Sequence, residues 1–154
     1  MAIRVEVAID GSKEDVWKVI TDIENSPNAI TGIEEVEILE RPTDGLVGLK
    51  WRETRTLFGR TATEIMWITD AKENGRYRTR AESHGAVYVT SLVVSEHDGK
   101  TRLTMEFDAT PQTLSARVMA ATTGIFFKNA TKKALMQDLN DIKAVVERSG
   151  EVQT

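Results

Sequence analysis

Glu53, Arg55 and Glu64 are the residues with the most chemistry to offer. They lie within WRETRTLFGRTATEIMW, residues 51–67, which alternates on either side of Gly59 as a β-strand does. A turn at Gly59-Arg60 would set Arg55 opposite Glu64, close enough for a cross-strand ion pair. At a solvated hairpin tip such a pair contributes about 0–1 kcal/mol. Inside a cavity its desolvation is costly, and it is often no better than apolar residues of equal volume, so keeping it there would answer a functional demand. A guanidinium can fork onto a ligand carboxylate or enolate. A carboxyl against an apolar wall can shift upward and serve as acid or base. Tyr88 and Ser83, expected to be cross-strand neighbours, add hydroxyls that can donate to a ligand or bond to each other at a sheet edge. The catalytic candidates are therefore Glu53, Arg55, Glu64 and Tyr88, and their spacing does not name a reaction.

Composition removes most other chemistries. The chain of 154 residues has no cysteine, so thiolate catalysis, disulfides and Cys-ligated zinc are excluded. Its two histidines, His84 and His97, flank expected turns, and neither H-E-x-x-H nor a phosphate-binding glycine loop occurs. No metal and no cofactor is expected. A net charge of −4 argues against a nucleic-acid partner. The opening MAIRVEVAID alternates instead of forming a signal peptide, and no apolar run is long enough for an integral membrane segment. A cytoplasmic protein is the default expectation.

The elements that must position these residues follow from periodicity. IRVEVAID places Ile3, Val5, Val7 and Ile9 on one face of a strand. In DGSKEDVWKVITDI, Ser12 and Asp15 form a short capping box before Val16, Val19, Ile20 and Ile23 at helical spacing. NSPNAI predicts a second short helix with Ser26 as N-cap and Pro27 at the first helical position. After Gly32 about eighty residues read as strands, with turns at Asp44-Gly45, Gly59-Arg60, Asn74-Gly75, Gly85-Ala86 and Asp98-Gly99.

Register computed through those turns gathers Trp51, Leu57, Met66, Ile68, Tyr77, Leu92, Val94, Leu103, Met105 and Phe107 on one face. The other face collects charges, including Arg76, Arg78 and Arg80 balanced by Glu82, Glu106 and Asp108, and reads as solvated. A long helix from about Thr113 to Arg148 closes the chain, with Leu135, Leu139, Ile142 and Val146 on one stripe. Its VMAATTGIFF segment is apolar nearly all round. That segment could be buried, could gate a pocket through Gly124, Phe126 and Phe127, or could self-associate. The expected fold is α+β, with a curved antiparallel sheet around the long C-terminal helix and two short helices after the first strand, as a single domain over 1–154.

The stretches VAIDGSKEDVWKVITDIENSPNAITGIEEVEIL, VGLKWRETRTLFGR, GKTRLTMEFDATP and KALMQDLNDIKAVVE together resemble the START/Bet v1-like (helix-grip) superfamily, and within it the bacterial polyketide cyclase/dehydrase and lipid-transport group. The resemblance covers the whole chain and carries no catalytic motif. It implies a mostly apolar cavity between sheet and helix, and ligands such as lipids, sterols and polyketides. Trp51, Leu57, Met66, Leu92, Met105 and Phe107 would then be its walls, Phe126 its mouth, and Arg55, Ser83 and Tyr88 its polar contacts. The leading reading is a non-catalytic carrier of a hydrophobic small molecule. Its alternatives are a cofactor-free cyclase or dehydratase using the pocket Glu, Arg and Tyr, and a partner-binding module or homodimer.

Overall fold

The computed structural model describes residues 2–57 and 59–152, with the backbone alone at residues 57, 122–127, 151 and 152. β1 (Ala2–Ile9) leads to α1 (Lys13–Thr21), a 3-10 turn (Ile23–Asn25) and α2 (Ser26–Ala29). Six strands follow: β2 (Ile33–Glu40), β3 (Lys50–Leu57), β4 (Arg60–Lys72), β5 (Arg76–Ser83), β6 (Ala86–His97) and β7 (Lys100–Pro111). α3 (Leu114–Val152) ends the chain. The strands form one seven-stranded antiparallel sheet in the order β1-β7-β6-β5-β4-β3-β2, so β1 crosses over to pair with β7. This is the helix-grip arrangement: a curved sheet holding a long helix against its concave face.

Local chemistry accounts for the short helices. Ser12 caps α1 by accepting from the Asp15 N–H at 3.0 Å, and Glu14 and Asp15 place negative charge in the first turn. The N-cap position of α2 is Asn25, not Ser26, and its side chain makes no capping bond; Ser26 sits inside the helix and donates its hydroxyl to the Ile23 carbonyl at 2.7 Å. Trp17 and Ile20 turn inward from α1. Trp17 meets Tyr77 edge-on at 6.1 Å, and the buried Tyr77 hydroxyl donates to the Ile20 carbonyl at 2.9 Å. That bond ties the end of α1 to the sheet.

Face assignment follows the period-2 pattern, but register departs from the sequence reading at three of four hairpins. Only the Asp98-Gly99 turn pairs as expected, with His97 opposite Lys100. In two of the others glycine takes the later turn position. His84 (φ 50) and Gly85 (φ 74) are both left-handed, as a type I′ turn requires, so Ser83 pairs with Ala86. Leu57 pairs with Arg60 across Gly59 (φ 76). Moving a two-residue turn by one position slides the register by two, which preserves faces.

At Asn74 the turn is longer, with Lys72 opposite Arg76, and the ladder shifts between Ile68 and Asp70, a bulge that lets β4 bend. Asp44-Gly45 is no tight hairpin; it lies in the 41–49 connection, where Gly45 and Gly48 adopt positive φ.

The closed core lies toward β1, β7 and the C-terminal half of α3, where Ile9, Leu103, Leu139 and Ile142 are almost fully buried. Lys143 donates to the Ala8 carbonyl and Glu147 accepts from the Asp10 N–H, fixing that half of the helix to the end of β1. At the other end Gln112 N–H donates to the Gly85 carbonyl, and a Cβ on Gly85 would lie 2.5 Å from the Thr113 Oγ1. Gly85→Ala therefore combines positive-φ strain with a clash and is expected to cost about 1–3 kcal/mol in urea unfolding. Gly99→Ala, at φ 77 with open space, carries only the strain and should cost less. Equal losses would show that the Thr113 contact is immaterial.

Candidate functional site

β3 projects Trp51, Glu53 and Arg55 onto the concave face, and α3 lowers Asp138 toward them. Arg55 donates from Nη1 to both Asp138 oxygens, at 3.1 and 2.8 Å, and from Nε to Glu53 at 3.3 Å. Glu53 also accepts from the Trp51 indole N–H at 3.3 Å. Glu53 and Asp138 are 7% and 4% exposed, so these are buried charges and not a wet hairpin tip. Arg55 does not face Glu64 as the sequence reading expected: it pairs with Ala62, and Glu53 faces Glu64. Two carboxylates opposite each other would repel. Glu53 turns instead toward Trp51 and Arg55, while Glu64 accepts from the Ser83 hydroxyl at 2.8 Å.

The loop before β2 closes over this cluster. A Cβ on Gly32 would stand 3.4 Å from the Arg55 Nη1, and Gly32 accepts from the Thr56 N–H at 3.1 Å. Thr31 donates its N–H and hydroxyl to Asp141, one turn along α3 from Asp138, at 3.0 and 2.9 Å. The loop, β3 and the helix are thus stitched together around the guanidinium.

Electrostatics inside the cluster are uneven. Burial pushes Asp138 up to about 6; Arg55 pulls against it, and Glu53 and Asp141 push further up. Burial works against the charge on Arg55, but Asp138 and then Glu53 outweigh it, so its pKa is raised and it stays protonated. Nε and Nη1 are engaged, whereas Nη2 has no protein partner among the described residues. No buried side-chain polar atom lacks a partner there, so Nη2 keeps access to solvent.

Beyond the cluster the concave face is less completely covered. Met66, Thr79, Ser83, Tyr88, Thr90 and Phe107 are each half-buried. Tyr88 stacks on Phe107, with ring centroids 5.9 Å apart and planes at 23°, and burial followed by the nearby Glu64 raises its hydroxyl pKa. By contrast Trp51, Leu92 and Met105 belong to the packed core. The side chains of Leu57 and Phe126, and with them the gate proposed around Gly124 and Phe127, lie outside the described residues. Two surface clefts formed by described residues, one beside His97 and Lys100 and one beside Arg80 and Gly85, do not include the Arg55 cluster.

Asp138 is the residue the sequence reading missed. A signal existed, since Asp138 interrupts the apolar stripe of Leu135, Leu139 and Ile142 with a charge.

The sequence matches the family described as polyketide cyclase/dehydrase and lipid transport over residues 1–147. The chain belongs to this family. A search of curated proteins returned no match. Solved structures agree on the START/Bet v1-like fold. A START superfamily protein of Mycobacterium smegmatis superposes with a TM-score of 0.79 at 17% identity, covering 96% of this chain and 97% of that one. The Zhui aromatase/cyclase of Streptomyces gives 0.79 at 17%, covering 96% and 94%. A Thermus thermophilus protein, TTHA0849, gives 0.80 at 15%, covering 97% and 99%. The family places this cyclase/dehydrase-family protein among hydrophobic-ligand-binding folds. Among its described residues no helix is long and apolar enough to cross a membrane.

Proposed function

We propose that this protein carries a lipid- or polyketide-like molecule on the less covered part of its concave face without transforming it. One observation carries the reading. A half-buried surface of Met66, Tyr88 and Phe107 adjoins hydroxyls of Thr79, Ser83 and Thr90, on the same face as a guanidinium with one accessible edge. Few polar groups on an apolar wall orient a ligand. Nη2 of Arg55 would take its carbonyl, carboxylate or phosphate end, and the Tyr88 ring its apolar body. The rest of the cluster is spent internally, because Glu53 and Asp138 already accept from Trp51 and Arg55.

A cyclase or dehydratase is the second reading, favoured by one observation. Asp138, held up to about 6, can exchange a proton near neutrality beside a cation able to stabilise an enolate. It adds Asp138 to the acid/base candidates Glu53 and Glu64.

Native mass spectrometry of freshly purified protein, followed by denaturing extraction, tests the carrier. A bound lipid or aromatic molecule is expected, recovered unchanged after prolonged incubation. Tyr88→Ala is expected to weaken its affinity about tenfold, since losing that half-buried ring forfeits ~1.5 kcal/mol. Recovery of a cyclised or dehydrated product would establish the enzyme instead. If neither the native protein nor fatty-acid and polyphenol probes give a complex, the carrier is wrong.

A further inference from the structure

Glu64 differs from the two acids of the Arg55 cluster in having no cation. Its carboxylate is half-buried, and its hydrogen bond among the described residues comes from a neutral group, the Ser83 hydroxyl, on Oε1 at 2.8 Å. Alternation puts Arg55 and Arg60 on the same face, yet Arg55 is turned to Glu53 and Asp138, and no ion pair among the described residues reaches Glu64. The residue directly across the ladder is a further acid, Glu53. For the protein alone, a half-buried carboxylate opposite a like charge is unfavourable.

Tyr88 stands across β5 from this carboxylate. Met66 pairs with Ala81 and Ala81 with Tyr88, while Glu64 reaches Ser83. On the concave side β5 therefore places only the small side chains of Ala81 and Ser83 between Glu64 and the ring. One side of the Tyr88 ring is stacked on Phe107 at 5.9 Å. Its hydroxyl makes no hydrogen bond among the described residues, and because no buried side-chain polar atom there lacks a partner, that hydroxyl is accessible. Burial and then the charge of Glu64 raise the pKa of the Tyr88 hydroxyl, so the two groups lie close without being bonded. A carboxylate oxygen, a phenolic oxygen and an aromatic ring together match one kind of ligand group. An ammonium offers donors only and is attracted to the face of a ring.

We propose that the concave face binds a ligand carrying a protonated amine, with its nitrogen between the Glu64 carboxylate and the Tyr88 ring. The inference rests on the reading of that face as a site for a hydrophobic molecule, and it adds the chemistry of one end. The amine would donate to Oε2 of Glu64 and to the Tyr88 oxygen. A ligand carboxylate or phosphate at the same place would meet Glu64 and Glu53 as like charges, so this part of the face and the Arg55 edge select opposite ends of a ligand. A neutral hydroxyl could bond to the same atoms but would leave the carboxylate without a counter-charge. A long-chain or aromatic amine is therefore the class that fits.

Calorimetric titration of the full chain with octylamine, octanol and octanoate at neutral pH tests the assignment. Octylamine is expected to bind about tenfold more tightly than octanol, the weight of a hydrogen bond between charged groups. Glu64→Gln keeps an acceptor for Ser83 and loses the charge, so it should erase that margin and leave octanol binding unchanged. Glu82→Gln removes an equal charge from the exposed outer face, and the margin should survive it. That control separates the site from the general attraction of a cation to an acidic protein. Tyr88→Leu should weaken octylamine more than octanol. Octylamine no tighter than octanol, a margin that survives Glu64→Gln or vanishes with Glu82→Gln, or equal losses in Tyr88→Leu would overturn the amine, while the binding of octanol or octanoate would leave the hydrophobic site standing. If none of these probes binds, the reading of the concave face as a hydrophobic-ligand site fails and the amine with it.

Discussion

Replacing Arg55 with methionine is expected to lower the unfolding free energy by about 3–5 kcal/mol, measured by urea denaturation. The cause is what stays behind. The Glu53 and Asp138 side chains are 9% and 6% exposed and share Arg55 as their cation. Methionine fills the volume but leaves two buried acids without a counter-charge, and Glu53 also faces Glu64 across the ladder. Both acids must then shed charge or admit water.

The loss belongs to the stranded partners and not to the intrinsic strength of the ion pairs. Arg55→Met combined with Glu53→Gln and Asp138→Leu should therefore recover most of it, because glutamine still accepts from the Trp51 indole and no unpaired charge remains. The same triple variant should release any ligand held by the Arg55 edge. Stability recovered while binding is lost would show that the cluster is kept for its chemistry. A single Arg55→Met variant within about 0.5 kcal/mol of the native chain would mean that the cluster behaves as a solvated surface pair.

What the sequence disclosed about this cluster, and what it concealed, follows from the range of each signal. The side of the sheet on which Trp51, Glu53 and Arg55 lie depends only on alternation, a local property, and it survives a turn misplaced by one residue. Their partners depend on register, which was set by whether glycine holds the first or second place in a turn. The φ > 0 demanded at both central positions of a type I′ turn decides this at His84-Gly85. Partnership with Asp138 is not local at all, since 83 residues separate it from Arg55. Only the misfit of a charge on the stripe of Leu135, Leu139 and Ile142 hinted at it. The thinner cover of the concave face beyond the cluster had no signal in the sequence. Met66 and Leu92 look alike in a period-2 pattern, yet one is half-buried at the margin of the core and the other buried within it.

Asp138 is also expected to make stability fall as pH rises. Its ordinary value is 3.8 and burial holds it at about 6 in the folded protein. Between those values the folded state keeps a proton that the unfolded chain has released, so lowering pH favours folding. The contribution is fully present below pH 3.8, declines as pH rises through about 6, and is constant above that. A difference of this size corresponds to on the order of 2–3 kcal/mol across the window. Other groups titrate over the same range, so the informative quantity is the native chain minus Asp138→Asn. Asparagine retains one acceptor for Arg55 and cannot ionise. The difference in unfolding free energy between the two proteins should slope through the window and level off above it. A slope of the opposite sign would mean that Arg55 outweighs burial and that Asp138 is an ordinary, permanently ionised counter-ion. That outcome would also remove Asp138 as an acid near neutrality, and with it the observation that favours the enzyme reading over the carrier.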